Sequence, residues 1–385
     1  MSTKSFVSKD QHRRVYIDLE SLREAMTMLD RRSFTKLSLL AAAASALPIR
    51  AESQRPVRFA PVGLGTISNI FMEACAQSSK CKVTALVTGH AAEKAPKYEA
   101  LYGISPKNVY NYENYDEIAH NPDVDAVYIG LPNSMHAEYT IRAAKAGKHV
   151  LCEKPMAISS AECRQMIDAC REHNVKLMIA YRVHYDPMWQ QIRNMARNGD
   201  IGQVQGFQGG FYGSGTKGWR LDRKLSGGGS LLDLGIYPLN TIRWIAGEEP
   251  ASFTAQVGTR SSGPRFASVE ESVEFTMKFP SGLLASSGSS YGEEGGSYLS
   301  IDGPDGSLWV EPAFLYNGLK FHGNTVHGSV SQVSPNHLPF QFTLEGDHFA
   351  DCVRNNRQPD TPGEEGLKDL LAIEAIYRAA GVPIA

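Results

Sequence analysis

The sequence predicts an α/β protein in two parts: a doubly wound parallel sheet, then an α+β domain on an antiparallel or mixed sheet. From Val57 to about Ala180, apolar strand-like runs alternate with helix-compatible segments of ten to fifteen residues, which is the rhythm of parallel strands joined by crossover helices. After Tyr181 the texture becomes glycine-rich and β-prone, as in "VQGFQGGFYGSG" and "SVEFTMKFPSGLLASSGSSY". Such runs with short turns between them suggest antiparallel pairing. At 385 residues, 42% hydrophobic and 21% charged, the chain is long and apolar enough for two cores.

Taken in order, "VRFAPVGLG" is a first strand ending in glycine, with Pro61 inside it where a central strand needs a ladder donor. "TISNIFMEACAQS" suits a helix, "KVTALVTG" a second strand, and "AAEKAPKYEALYG" a second helix that Pro96 interrupts. "DAVYIGLP", "HVLCEKP" and "KLMIAYR" are further strands, separated by the helices "HAEYTIRAAKAGK" and "SAECRQMIDACREHN". Beyond them lie a helix near Met188–Arg197 and a closing helix around Gly366–Ala380. The expected division is 55–180 for the first domain and 181–385 for the second.

Residues 1–46 are read as a leader that is removed. Arg31-Arg32, Phe34 and Lys36 precede an uncharged run from Leu37 to Ile49. That run is too short to span a bilayer and fits a signal-peptide core. The paired arginines resemble a twin-arginine export signal, which implies the Tat machinery, a periplasmic address and no membrane anchor after cleavage. Net charge is −2 without a basic tract, which argues against nucleic-acid and membrane-surface partners. The six cysteines show no CxxC pair and are read as buried thiols. The 11 histidines show no metal-ligand spacing.

Chemistry concentrates at strand ends. Gly63-Leu64-Gly65-Thr66-Ile67-Ser68 follows the first strand and opens a helix, the context of a dinucleotide fingerprint. Gly63 permits the tight turn and Gly65 lets backbone approach a pyrophosphate, while Ser68 stands where the third glycine belongs. The second strand ends in Val87-Thr88-Gly89-His90 without a carboxylate, and Lys94 follows. Such a strand end favours NADP over NAD, because an acid would repel the 2′-phosphate. Lys154, in "VLCEKPMA", ends a later strand of the same sheet, where ligands bind. Asp233 and Tyr237 in "GGGSLLDLGIYPLN" stand at i and i+4, expected on one face of one helix.

Together "GLGTIS", "AVYIGLPNSMHAEYTIRAAKAGKHVLCEKPMA", "MIAYRVHYDPM", "WRLDRKLSGGGSLLDLGIYPLN" and "TPGEEG" resemble the Gfo/Idh/MocA oxidoreductase family from about Val57 to the end, nearest its glucose–fructose oxidoreductase branch. The resemblance implies an N-terminal Rossmann domain before a large, open-faced, mostly antiparallel sheet. It places catalytic roles on Lys154, Asp233 and Tyr237. It places cofactor contacts on Gly63, Gly65, Thr66, Ile67, Thr88, Gly89, His90 and Lys94. Leu131, Pro132, Asn133 and His136 match the family's strand-end loop. Glu153, Lys154, Arg182, Tyr185, Trp219, Arg220 and Tyr291 match further contacts.

The implied activity is an exported NADP-dependent oxidation of an aldose, glucose-like, with a second sugar as acceptor on a retained cofactor. The alternatives are a sugar dehydrogenase that releases its cofactor each turnover and an NAD-dependent glycosidase of the same family. Either Lys154 or Tyr237 takes the proton. Only about ten residues separate the cleavage site from the first strand, too few for the branch's long arm, so a homodimer through the open sheet face is expected before a homotetramer.

Overall fold

The computed structural model describes residues 55–383, and the expected leader lies outside the described residues. The first sheet is parallel and contains β1 (Val57–Val62), β2 (Cys81–Val83), β3 (Leu86–Val87), β4 (Val109–Tyr110), β5 (Ala126–Ile129), β6 (His149–Glu153) and β7 (Leu177–Ala180). Their spatial order is β4-β3-β1-β5-β6-β7, with β2 also beside β1. The chain therefore winds outward from β1 in both directions, and the switch between β1 and β5 opens a crevice at the carboxyl ends. Helices α1 (Thr66–Gln77), α2 (Ala91–Tyr102), α3 (His136–Lys145) and α4 (Ser160–Glu172) make the crossovers.

Pro61 accounts for one departure from expectation. "KVTALVTG" forms two short strands, β2 and β3, rather than one. Val57 N donates to Lys80 O, Phe59 O accepts from Thr84 N, and Gly63 N donates to Val87 O. Odd-numbered residues of β1 thus face the β2–β3 side. Pro61 is the odd residue without an N–H, and the neighbouring strand breaks at Thr84–Ala85, opposite it. Pro96, expected to interrupt α2, lies inside a continuous helix on its exposed side.

The second sheet has eight strands in the order β15-β14-β13-β12-β8-β11-β10-β9. They are β8 (Gly206–Tyr212), β9 (Ser252–Gly258), β10 (Ser272–Lys278), β11 (Leu284–Ser290), β12 (Gly296–Gly303), β13 (Gly306–Val310), β14 (Lys320–Thr325) and β15 (Gly328–Val333). Every pair is antiparallel except β8–β11. One face buries Phe207, Phe275, Leu299, Leu308, Val310 and Phe321, and α6 (Ile236–Ala246) packs on it. The other face carries exposed Thr254, Gln256, Glu274, Thr276 and Lys278, with Tyr298 and Trp309 stacked at 5.3 Å. This face is polar along β9 and β10, while β11 and β15 expose Leu284 and Val333.

Three further helices join the two sheets. Helix α5 (Pro187–Asn198) is started by Asp186, which accepts from Met188 N at 2.9 Å and Trp189 N at 3.2 Å, and is stopped by Gly199 at φ 86°. The C-terminal helices α7 (Phe340–Arg354), which the sequence reading missed, and α8 (Gly363–Ala379) return to the first sheet. There α7 packs on α1 and α8 on α4, and Thr361 O accepts from Ile179 N at 2.8 Å.

Candidate active site

The carboxyl edge of the first sheet begins with a cradle. Gly63 sits at φ 84°, and a Cβ there would lie 2.7 Å from Leu131 Cδ2, so only glycine turns the chain here. At Gly65 a Cβ would meet nothing within 4 Å. Gly65 caps α1 without a side-chain hydrogen bond, and Gly65 and Thr66 are exposed. The first-turn N–H groups therefore point at open space, where an anion binds. Ser68 is fully buried. Room for it comes from Gly130 after β5, where a Cβ would come within 2.4 Å of Ser68 Oγ. The close approach that a third helix glycine normally supplies is supplied here by the facing strand end.

Beside the cradle, β3 ends in buried Thr88, whose Oγ1 accepts from His90 N at 3.3 Å. Gly89 passes the Tyr112 ring so closely that a Cβ would be 2.9 Å from it. Exposed His90 caps α2 and half-buried Lys94 stands one turn later. A helix N-terminus, a hydroxyl and an ammonium are a donor set suited to phosphate, with Glu93 as the one acid in that turn.

Lys154 follows β6, and its side chain is only 11% exposed. Its Nζ donates to Asp233 O at 2.7 Å, stands 3.6 Å from Asp233 Oδ1, and lies 4.4 Å from the Tyr237 ring centroid. Asp233 Oδ2 accepts from Arg220 Nε and from Tyr291 OH, each at 3.1 Å. Burial pulls the Asp233 carboxyl up, but Lys154, Arg220 and Tyr291 outweigh it and hold the group below its ordinary range. The carrier differs from expectation: Asp233 lies in a π-helical turn, Leu231–Gly235, that leads into α6 with Tyr237. Both residues nevertheless meet at Lys154. Glu270 supports the turn by accepting from Gly229 N at 2.9 Å and Leu231 N at 3.1 Å.

The structure also brings Arg182 here, with its guanidinium 4.9 Å from the Tyr237 ring centroid and 4.6 Å from that of Tyr316. Trp219 stacks on Arg220 at 4.5 Å. Glu153 is buried, accepting from Tyr128 OH at 2.5 Å and Lys154 N at 3.2 Å; burial pushes its carboxyl up. The strand-end loop serves as a tie. Both His136 ring nitrogens face backbone carbonyls, of Pro155 and Leu131, at 2.9 Å each, and Asn133 donates to Ser226 O at 2.8 Å. Pro132, between them, and Ile67 are half-buried at the same edge. Tyr185 is a correction. Its hydroxyl is bonded to Thr361 Oγ1 at 2.8 Å and its ring packs on His348, so it serves the α7 core rather than the site.

Sequence reasoning missed Glu270, Tyr316 and Glu345. Glu345 on α7 is fully buried, neither carboxylate oxygen has a hydrogen-bond partner among the described residues, and burial and Glu153 push it well up. No local motif marks these residues, since each reaches the site from a distant segment.

An edge that offers phosphate donors at one end and a shielded ammonium beside a phenol at the other serves exchange of hydride and proton. The chain is a nicotinamide-nucleotide-dependent oxidoreductase. It belongs to the Gfo/Idh/MocA oxidoreductase family: the model for the family's NAD-binding Rossmann fold matches residues 57–181 and that for its C-terminal domain matches 189–309. It is 32% identical over 344 residues to a D-xylose 1-dehydrogenase [NADP(+)] of Haloarcula marismortui, covering 85% of this chain and 92% of that one. A 1,5-anhydro-D-fructose reductase of Ensifer adhaerens is 29% identical, covering 84% and 96%. Among solved structures, the aldose–aldose oxidoreductase from Caulobacter crescentus complexed with glycerol is 40% identical with a TM-score of 0.81, covering 85% of this chain and 98% of that chain.

Proposed function

We propose that the protein oxidises a hydroxyl of an aldose with NADP and returns the hydride to a second sugar. The observation that carries this reading is the position of Lys154 Nζ, anchored on Asp233 and facing Tyr237. An ammonium has three donors. The Asp233 carbonyl takes one and its carboxylate stands 3.6 Å away as counter-ion, which leaves a donor to bind the substrate oxygen. Tyr237, whose ring faces that ammonium, takes the hydroxyl proton. Arg220 and Tyr291 hold Asp233 so that Lys154 keeps its direction.

Gly63, Gly65 and Thr66 fit the dinucleotide's pyrophosphate, because the cradle is open and its helix N–H groups are uncapped. Thr88, His90 and Lys94 fit a 2′-phosphate. The nicotinamide supplies the hydride acceptor; the chain supplies position, charge and the proton's destination. Similarity to an NADP(+) xylose dehydrogenase and to an aldose–aldose oxidoreductase supports the cofactor and the second sugar. The Arg31-Arg32 segment supports export to the periplasm, where a retained nucleotide recharged by a second sugar needs no free supply.

The test uses protein purified without added nucleotide and mixed with excess glucose or xylose. A stoichiometric rise in reduced-nicotinamide absorbance, reversed by a second sugar, is the expected result. A signal that appears only when NADP is supplied marks a dissociating dehydrogenase. No signal with any aldose and either nucleotide overturns the reading.

A further inference from the structure

We propose that a buried passage behind the reacting groups carries the proton from Tyr237 to the far side of the molecule, through Tyr181, Asp369 and Glu365. This inference rests on Tyr237 as the proton acceptor in the reading above. Behind Lys154 lies a cavity of about 10 Å³, lined among others by Lys154, Tyr181, Tyr237, Asn240 and Thr241. That is about the room one water occupies. Tyr181 is 5% exposed, and its hydroxyl has no hydrogen-bond partner among the described residues. The Asp369 carboxylate stands beside it: burial, then that carboxylate's charge and hydrogen bonding, push the phenol well up. A buried hydroxyl of this kind costs stability unless it has a use, and it borders a water-sized cavity that Val183 and Ile236 line together with the polar side chains.

Beyond Tyr181 the acids continue. Asp369 on α8 is fully buried and bonded to Arg243. Asn240 Nδ2 donates to Asp369 Oδ2 at 3.0 Å and to Glu365 Oε1 at 3.3 Å. Arg243 also pairs with Glu365 at 3.0 Å. Glu365 stands 3.7 Å from Lys368, which in turn pairs with the half-exposed Glu249. Glu249 and Lys368 line an open surface groove of about 370 Å³ together with Leu371 and Ala375 of α8. Burial raises Asp369, Arg243 opposes it and Glu365 adds to it, and the net effect pushes the carboxyl up to about 7. His184 also touches this network, through Asn240 Oδ1 at 2.7 Å, but burial pushes it down to about 3. It stays neutral and holds Asn240 in place without carrying protons.

The chemical need follows from the reaction. When substrate oxidation breaks the O–H bond, the C–H hydrogen leaves as hydride to the nucleotide and the O–H proton goes to the Tyr237 oxygen. A dinucleotide held at Gly63 and Gly65 and a sugar at Lys154 would keep water from that side of the site. The proton leaves Tyr237 for the water held in the cavity, then Tyr181, while Asp369 releases its own proton outward past Glu365. Reduction of the second sugar runs the same path inward, and no further reductant or oxidant enters.

The test is Tyr181→Phe, which removes only the hydroxyl and keeps the ring, so the variant should fold, as thermal unfolding checks. In weakly buffered stopped-flow, an indicator dye follows the proton while absorbance follows the reduced nucleotide. Wild type should release the proton in step with the hydride. Tyr181→Phe should delay the proton, enlarge the solvent isotope effect and slow turnover roughly tenfold, less than the ~10²–10⁴ lost with the base itself. Glu365→Gln should delay the proton as well, and it avoids the folding risk of altering Asp369. Proton release in step with hydride in both variants overturns the passage. Should the wild type reduce no nucleotide with any sugar, the functional reading fails, and infrared titration of the unliganded protein decides the passage. A buried carboxyl that titrates near neutrality and shifts in Tyr181→Phe upholds it; one indifferent to that change overturns it.

Discussion

Lys154 Nζ lies 4.4 Å from the centroid of the Tyr237 ring, and its nearest anionic partner is Asp233 on the turn that leads into the tyrosine's helix. One short segment therefore both anchors the ammonium and presents the phenol to it. Replacing Lys154 with Met keeps the stem length and removes the charge. Turnover should fall by roughly 10²–10⁴, while dinucleotide affinity, set at the Gly63 cradle, should change no more than a few-fold. Steady-state kinetics with a nucleotide titration checks both.

Tyr237→Phe should cost a similar factor but with a different signature. The proton acceptor generates the limb of the kcat/KM pH profile that rises with pH. That limb should vanish in Tyr237→Phe and persist in Lys154→Met. A limb that disappears with Lys154 instead would move the proton to the lysine.

Gly63→Ala puts a Cβ at φ 84° and 2.7 Å from Leu131 Cδ2. A strained backbone of this kind costs about 1–3 kcal/mol. The variant should melt earlier and lose dinucleotide binding, whereas Gly65→Ala, where a Cβ meets nothing, should fold normally and lose affinity alone. Thermal unfolding and fluorescence titration separate the two.

Lys94→Ala should discriminate between nucleotides. A charged hydrogen bond to phosphate is worth about 1.5 kcal/mol or more, a little over tenfold. NADP should bind that much more weakly and NAD unchanged, with the difference shrinking as salt rises.

Acid should destabilise the fold through His184. Its ordinary value near 6.5 is pushed down to about 3 by burial. Between those values the unfolded chain binds a proton that the folded chain refuses, so stability falls as pH drops from 6.5 to 3, by up to about 1.4 kcal/mol per unit. Asp233, held below its ordinary 3.8, loses its own contribution only as pH falls through that lower folded value. Asp369 has the opposite sign: its raised carboxyl loses stability as pH rises from 3.8 to about 7. Denaturant unfolding across pH should show a shallower acid slope in His184→Gln, whose amide still donates to Asn240.

The parallel domain was legible because its signals are local. Apolar runs alternate with helical periods, and Gly63 and Gly65 stand between the first pair. Pro61 was visible as an anomaly, yet that it splits the second strand required knowing which neighbour its missing N–H faces. Helix α7 was missed since no side chain caps its start, Gly346 interrupts it, and packing on α1 holds it.

By itself the sequence determined the α/β order, the open glycine cradle and the identity of Lys154, Asp233 and Tyr237, because each is written in residue type and short spacing. Tertiary structure alone decided where Tyr185 points, that Gly130 makes room for Ser68, and that Tyr181 lines one cavity with Lys154 and Tyr237. Those outcomes depend on contacts between segments far apart in the chain, and such contacts are set by how packed elements close on one another rather than by any pattern within one of them.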